Sequence, residues 1–158
     1  RIATGTMEML IRRCRPADAP AVAELATELG YPTDSAQARA RLDRLLARTE
    51  DAIFAAEDGG VVVGWLHARE MHELESEPCG EIAGLVVAAE RRGEGCGKAL
   101  VQAALAWAAE RGLATMRVYS NVVRQASHRW YQAMGFEIQK TQAVFIRSTT
   151  IPLRRPDG

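Results

Sequence analysis

Apolar residues recur at helical spacing along several stretches of this chain. Val22, Leu25, Ala26 and Leu29 fall on one face. They predict a helix that Asp18 caps, with Pro20 in its first turn and Gly30 at its end. Leu42, Leu45 and Leu46 predict a second helix, capped by Thr33 or Asp34 and running to about residue 48. Leu100, Val101, Ala104, Leu105 and Ala108 mark the core face of a third, over residues 96–111, closed by Gly112. A fourth covers residues 125–134 and stops before Gly135. Between them lie β-like runs at 10–14, 52–57, 61–68, 81–87, 115–119, 136–139 and 143–147. Asp58-Gly59-Gly60 reads as a hairpin turn, and residues 70–78 as an acidic loop. The order β-α-α-β-β-β-α-β-α-β-β predicts a mixed α/β domain with one central sheet.

The densest signal lies between the run ending at Val87 and the third helix. Gly93, Gly95 and Gly97 stand at alternate positions, with Arg91, Arg92 and Lys98 around them. Glycines let the backbone approach a ligand and turn its N–H groups inward. The helix behind them adds unpaired N–H groups and the positive end of its dipole. That combination suits a phosphate or pyrophosphate. A Walker loop is excluded, because Arg92 stands where its first glycine belongs and Ala99 where its hydroxyl belongs. A dinucleotide fingerprint is excluded as well, since its third glycine would fall at Lys98 or Leu100.

What remains is R-x-x-G-x-G, formed by Arg92, Gly95 and Gly97. It resembles the pyrophosphate loop of the GNAT superfamily of acyl-CoA-dependent N-acyltransferases. A later stretch, Ser120-Asn121-Val122-Val123 through Trp130-Tyr131 to Gly135-Phe136, is similar to the same family's later motif. The resemblance covers about residues 9–147. It implies an α/β (α+β) fold with a mixed, mostly antiparallel sheet flanked by helices. It implies acetyl-CoA as co-substrate, no metal, and direct transfer to an amine in a ternary complex.

The resemblance also implies roles. Arg92, Gly93, Gly95, Cys96, Gly97 and Lys98 would hold the pyrophosphate. Leu85, Val86 and Val87 would pair with the pantetheine amides like an added strand, with a backbone N–H near Val87 on the oxyanion. Asn121 would hold the pantetheine arm. Tyr131 would donate a proton to the leaving thiolate, as a phenol is able to. The amine must first lose a proton, since an alkylammonium has a pKa near ~10. Glu81 is the first candidate base, on the expectation that apolar neighbours desolvate it. His67 and His72 are its rivals. Arg91 and Arg124 are further candidates for the phosphates. Cys96, at a helix start, is a candidate nucleophile on the residue alone; the resemblance speaks against that role.

Composition narrows the partners. Twenty basic and twenty acidic residues give no net charge, so nothing draws the chain broadly to nucleic acid or an anionic membrane. No apolar run is long enough to span a bilayer. Three cysteines without metal-type spacing fit free thiols in a reducing cytoplasm. With 158 residues, a single domain over 9–150 is expected. Residues 1–8 read as an expression remnant or extension, and 151–158 as a flexible tail. Glu70, Glu73, Glu75 and Glu77 would wall a pocket for a small cationic amine. The alternatives are a protein or peptide N-acetyltransferase and a non-catalytic acyl-CoA-binding module. Keeping Tyr131, Asn121 and Glu81 together argues against a pure binder. Relatives are often dimers, so a homodimer is expected on that ground alone.

Overall fold

The structure, a computed structural model, describes residues 9–151. The expectations for residues 1–8 and 152–158 lie outside them. The described residues fall into two compact units that divide after Tyr119.

The first unit carries a five-stranded sheet in the order β1-β2-β3-β4-β5. Its strands are β1 (Leu10–Arg13), β2 (Asp51–Asp58), β3 (Val61–Glu73), β4 (Ser76–Val87) and β5 (Met116–Val118). The first four pair antiparallel and β5 joins β4 in parallel, so the sheet is mixed and mostly antiparallel as expected. Gly59 and Gly60 turn β2 into β3 with φ of 57° and 83°, the positive pair that a two-residue hairpin needs.

Three helices cover the sheet: α1 (Ala19–Glu28), α2 (Ser35–Leu46) and α3 (Cys96–Glu110). Ala19 and Ala23 of α1 and Ala38 and Leu42 of α2 pack on Ile53 and Ala55 of β2. The other face takes α3, because a Cβ on Gly64 would stand 3.0 Å from the Cys96 sulfur. Gly64 pairs with Ala56, the neighbour of Ala55 that points the opposite way. The core face of α3 is Cys96, Leu100, Val101, Ala104, Trp107 and Ala108. Leu105 is exposed instead.

Two caps differ in kind. Asp34 accepts from Gln37 N–H at 2.7 Å while the Gln37 side chain accepts from Asp34 N–H, a reciprocal cap that starts α2. Asp18 does not cap α1 with its side chain. It accepts from Arg15 N–H at 2.7 Å and takes both prongs of the Arg12 guanidinium. A single 3-10 turn over Pro16–Asp18 therefore precedes α1. The Arg12 hydrogen bonds hold the buried Asp18 carboxyl below its usual range, against the pull of desolvation.

The expected acidic loop at 70–78 is instead a long hairpin. Strand β3 continues to Glu73 and β4 begins at Ser76. Two of its four glutamates are matched by arginines from elsewhere: Glu70 by Arg111 at 2.5 Å, and Glu73 by Arg117 at 2.9 Å. One counter-charge comes from the end of α3 and the other from β5, and they let these carboxylates occupy strand positions.

The second unit holds α4 (Gln125–Ala133), as its spacing predicts. The expected strands at 136–139 and 143–147 do not form among the described residues. A strand needs a ladder as well as a propensity, and these residues pair with none. Val144, Phe145 and Ile146 are all at least 90% exposed.

Candidate functional site

The glycine loop owes its shape to the backbone. Past β4, Ala88 N–H donates to the Val63 carbonyl at 2.8 Å, and Ala89–Arg91 forms one 3-10 turn. Gly93 and Gly95 then adopt φ of 81° and 87°. A Cβ at either would meet nothing within 4 Å, so conformation rather than crowding requires glycine there. Gly95 is the N-cap of α3 and supplies no side-chain cap. The first N–H groups of α3 are thus left for an external acceptor.

The basic residues around the loop differ. Arg92 and Lys98 are exposed and form no ion pair among the described residues. Arg91 is engaged: its NH2 reaches the buried Asp58 carboxylate and its Nε donates to Glu94 at 2.6 Å. Both bonds strengthen its proton affinity, Glu94 foremost. The Cys96 side chain is not in the loop's opening. It is buried, and burial pushes its thiol up, which removes the ground for a nucleophilic cysteine.

Strand β4 supplies the next component. It pairs with β5 only at Gly80, Glu81 and Ile82. Beyond that the edge carrying Leu85, Val86 and Val87 has no partner among the described residues. On its other side the register with β3 slips, because His67 pairs with Gly84 and Ala68 with Ile82. Ala83 is the extra residue of a bulge, which re-aims a strand where it forms.

The sheet face that carries α1 and α2 also carries a polar row. Ile53 pairs with His67 and Asp51 with Arg69, so Asp51, His67 and Arg69 share that face. His67 Nε2 lies 2.6 Å from Asp51 Oδ1, and Arg48 Nε lies 2.6 Å from Oδ2. Burial alone would push the Asp51 carboxyl up; the bonds to His67 and Arg48 outweigh it and hold it low. Next along the row is Glu81, 3% exposed. Arg69 donates to its Oε1 at 2.6 Å and Arg117 to its Oε2 at 2.9 Å. The expected apolar setting of Glu81 is therefore corrected. Both of its oxygens are committed to guanidinium groups from neighbouring strands. His72 lies off this row, mostly exposed, 3.4 Å from Glu70.

Sequence reasoning missed Asp51, Asp58, Arg69 and Arg117. Each acts through strand register or a partner distant in the chain, which spacing does not reveal. A cleft of about 390 Å³ among Arg13, Arg48, Asp51 and Trp107 lies at the start of β2, the opposite end of the sheet from the glycine loop.

In the second unit, Tyr131 sits on α4 with its ring edge-on to Trp130 at 5.0 Å and to Phe136 at 5.5 Å. Burial pushes its phenol up, against a smaller opposite effect of Arg124, so it stays a proton donor at neutral pH. Asn121 Oδ1 accepts from Val123 N–H at 3.1 Å and the Asn121 carbonyl meets His128 Nε2 at 2.9 Å. These bonds fix the turn that leads into α4.

Residues 19–136 match the acetyltransferase (GNAT) family. The chain belongs to the GNAT family. This GNAT chain is 33% identical over 147 residues to an aminoglycoside N(6′)-acetyltransferase type 1 of Stenotrophomonas maltophilia, covering 90% of this chain and 94% of that protein. Among solved structures it is similar to the aminoglycoside N-acetyltransferase AAC(6′)-Iy in complex with CoA, with TM-score 0.80 and 24% identity, covering 90% of this chain and 95% of that one. The same enzyme with a bisubstrate analogue, CoA-S-monomethyl-acetylneamine, gives TM-score 0.78 at 26% identity, over 89% and 98% of the two chains. This GNAT protein is an acyl-CoA-dependent N-acetyltransferase that uses acetyl-CoA. Its own residues suit that co-substrate: left-handed glycines, uncapped helix N–H groups and an unpaired strand edge. No helix among the described residues is long and apolar enough to cross a membrane.

Proposed function

We propose that this enzyme acetylates a primary amine of a small polyamino molecule of the aminoglycoside class. The observation that carries the reading is the 33% identity to an aminoglycoside N(6′)-acetyltransferase across 94% of that relative's length. The acidic hairpin lends less support than the sequence suggests, because Glu70 and Glu73 are matched by Arg111 and Arg117.

Acetyl-CoA supplies the thioester. In this reading the amides of Gly93, Gly95, Cys96 and Gly97 and the side chains of Arg92 and Lys98 hold its pyrophosphate. The open edge at Leu85, Val86 and Val87 pairs with the pantetheine amides, and the β4 backbone near Val87 donates to the thioester oxygen as charge develops there. Asn121 steadies the arm, and Tyr131 hands its phenolic proton to the departing thiolate. For the amine's proton, the polar row favours His67 over Glu81. His67 is oriented by a buried carboxylate, whereas both Glu81 oxygens already accept from arginines.

Thiol release from acetyl-CoA, measured across a panel of amines, tests the reading. Turnover is expected with aminoglycosides that carry a 6′-amine and not with their 6′-hydroxyl counterparts. Turnover confined to polyamines, aminoalkylphosphonates or peptides would overturn the acceptor class while leaving the enzyme class intact.

A further inference from the structure

Asp58 ends β2, at the mouth of the Gly59–Gly60 turn. It is 6% exposed, an unusual setting for a carboxylate in a hairpin tip. Its partner is Arg91, which the sequence offers to the cofactor phosphates. Arg91 does not reach outward. Its NH2 bonds Asp58 Oδ2 and its Nε bonds Glu94 Oε2, so one guanidinium bridges the hairpin tip and the residue between Gly93 and Gly95. Two further ties hold the same segment: Glu28 of α1 accepts from Ala89 N–H at 2.7 Å, and Val63 accepts from Ala88 N–H at 2.8 Å. The segment between β4 and α3 is thus anchored on both sides, with the charged anchor nearest the glycines.

We infer that Asp58 is a positioning residue for acetyl-CoA: through Arg91 and Glu94 it fixes the glycine loop in the shape that receives the pyrophosphate. This rests on the assignment of that loop to acetyl-CoA. The physical reason is preorganisation. Two positive-φ glycines flanking Glu94 have many accessible conformations, and a ligand that must order them binds more weakly. Arg91 engaged by Asp58 and Glu94 holds Glu94 in place and spares the ligand that cost. It also removes the repulsion that an unpaired Glu94 would present to a diphosphate.

The alternative is that Arg91 is itself a phosphate ligand, held in reserve by Asp58. The two readings predict opposite signs. If Arg91 is held in reserve, removing the Asp58 charge releases it and tightens CoA binding. If Asp58 positions the loop, the same change weakens binding.

The experiment uses the full chain with CoA, acetyl-CoA and S-acetylpantetheine, which lacks the pyrophosphate. For Asp58→Asn, the Kd for CoA by calorimetry and the KM for acetyl-CoA should rise about tenfold, with kcat at saturating acetyl-CoA within about twofold of the parent. The KM for S-acetylpantetheine should not move, a selectivity that general loosening of the fold would not give. Arg91→Gln should repeat the pattern, and the double variant should be no worse than either single one. Arg91→Gln carries the same test if Asp58→Asn does not fold. Unchanged or tighter CoA binding in Asp58→Asn overturns the inference. So does an equal loss with S-acetylpantetheine. A parent protein that binds no CoA overturns the loop assignment as well, whereas a parent that binds it and variants that bind equally overturn only the role of Asp58.

Discussion

The His67 imidazole and the Asp51 carboxylate stand 2.6 Å apart on adjacent strands, with the Asp51 side chain 4% exposed and also held by Arg48. The pair fixes one ring nitrogen of His67 and leaves the other to face its surroundings. That is the arrangement in which a carboxylate orients a proton acceptor.

His67→Gln should lower kcat/KM for the amine about 10²-fold at neutral pH, with little change in melting temperature. Glu81→Gln should do the reverse. It leaves Arg69 and Arg117 without their shared counter-charge, so melting should fall by roughly 5 °C while kcat stays within a few-fold. Steady-state rates and thermal melts on both variants separate the roles. The opposite pattern would return proton abstraction to Glu81.

Asp51 links the same pair to acid stability. Its carboxyl is held below the ordinary range in the folded protein, so it binds fewer protons folded than unfolded near that range. Its contribution is complete above the ordinary carboxylate pKa of about 3.9 and fades as pH falls through the lower folded value. Asp51→Asn should therefore lower the melting temperature at pH 7 by roughly 4–8 °C, with the gap to the parent closing toward pH 3. Melts across that range decide it, and a gap independent of pH would rule the linkage out.

Tyr131→Phe should reduce kcat at least about tenfold and leave CoA binding nearly unchanged, because only a proton donor is lost. Pre-steady-state and equilibrium measurements on the same preparation check both halves. Full turnover in the phenylalanine variant would end the general-acid assignment.

Gly64→Ala tests the packing of α3 behind the loop. The added Cβ would lie 3.0 Å from both the Cys96 sulfur and the Val86 carbonyl oxygen. Overpacking of this kind should cost about 1–3 kcal/mol in denaturant melts. Against a Cys96→Ala background the cost should shrink but persist, since the carbonyl remains. An additive pair of costs would show that the helix simply shifts away.

Much of the fold was legible because its signals are local. Helix α3 is bracketed by Gly95 and Gly112 and marked by a repeating apolar face, so its span is nearly as expected. The hairpin at Gly59–Gly60 follows from two residues that tolerate positive φ. The hairpin from Glu70 to Pro78 was not legible, because Glu70 and Glu73 are satisfied by Arg111 and Arg117, about forty residues onward. Residues 136–147 show the converse: β-like composition with no ladder to join. In the candidate site, the glycine loop was readable from spacing, since Gly93 and Gly95 answer a local need for positive φ. The pairs Asp51–His67 and Asp58–Arg91 were not, because register and chain return bring them together. Glu81 was found, but its two arginines were not, and they change what it is able to do.

The edge of β4 from Ala83 to Val87, which has no partner among the described residues, has a cost outside catalysis. A strand that offers its amides to a cofactor offers them equally to any other extended chain. On the proposed pairing of this edge with the pantetheine arm, the co-substrate would also shield it, and the protein would be safest from aggregation when it is working. On the same reading, purification without CoA would leave that edge uncovered.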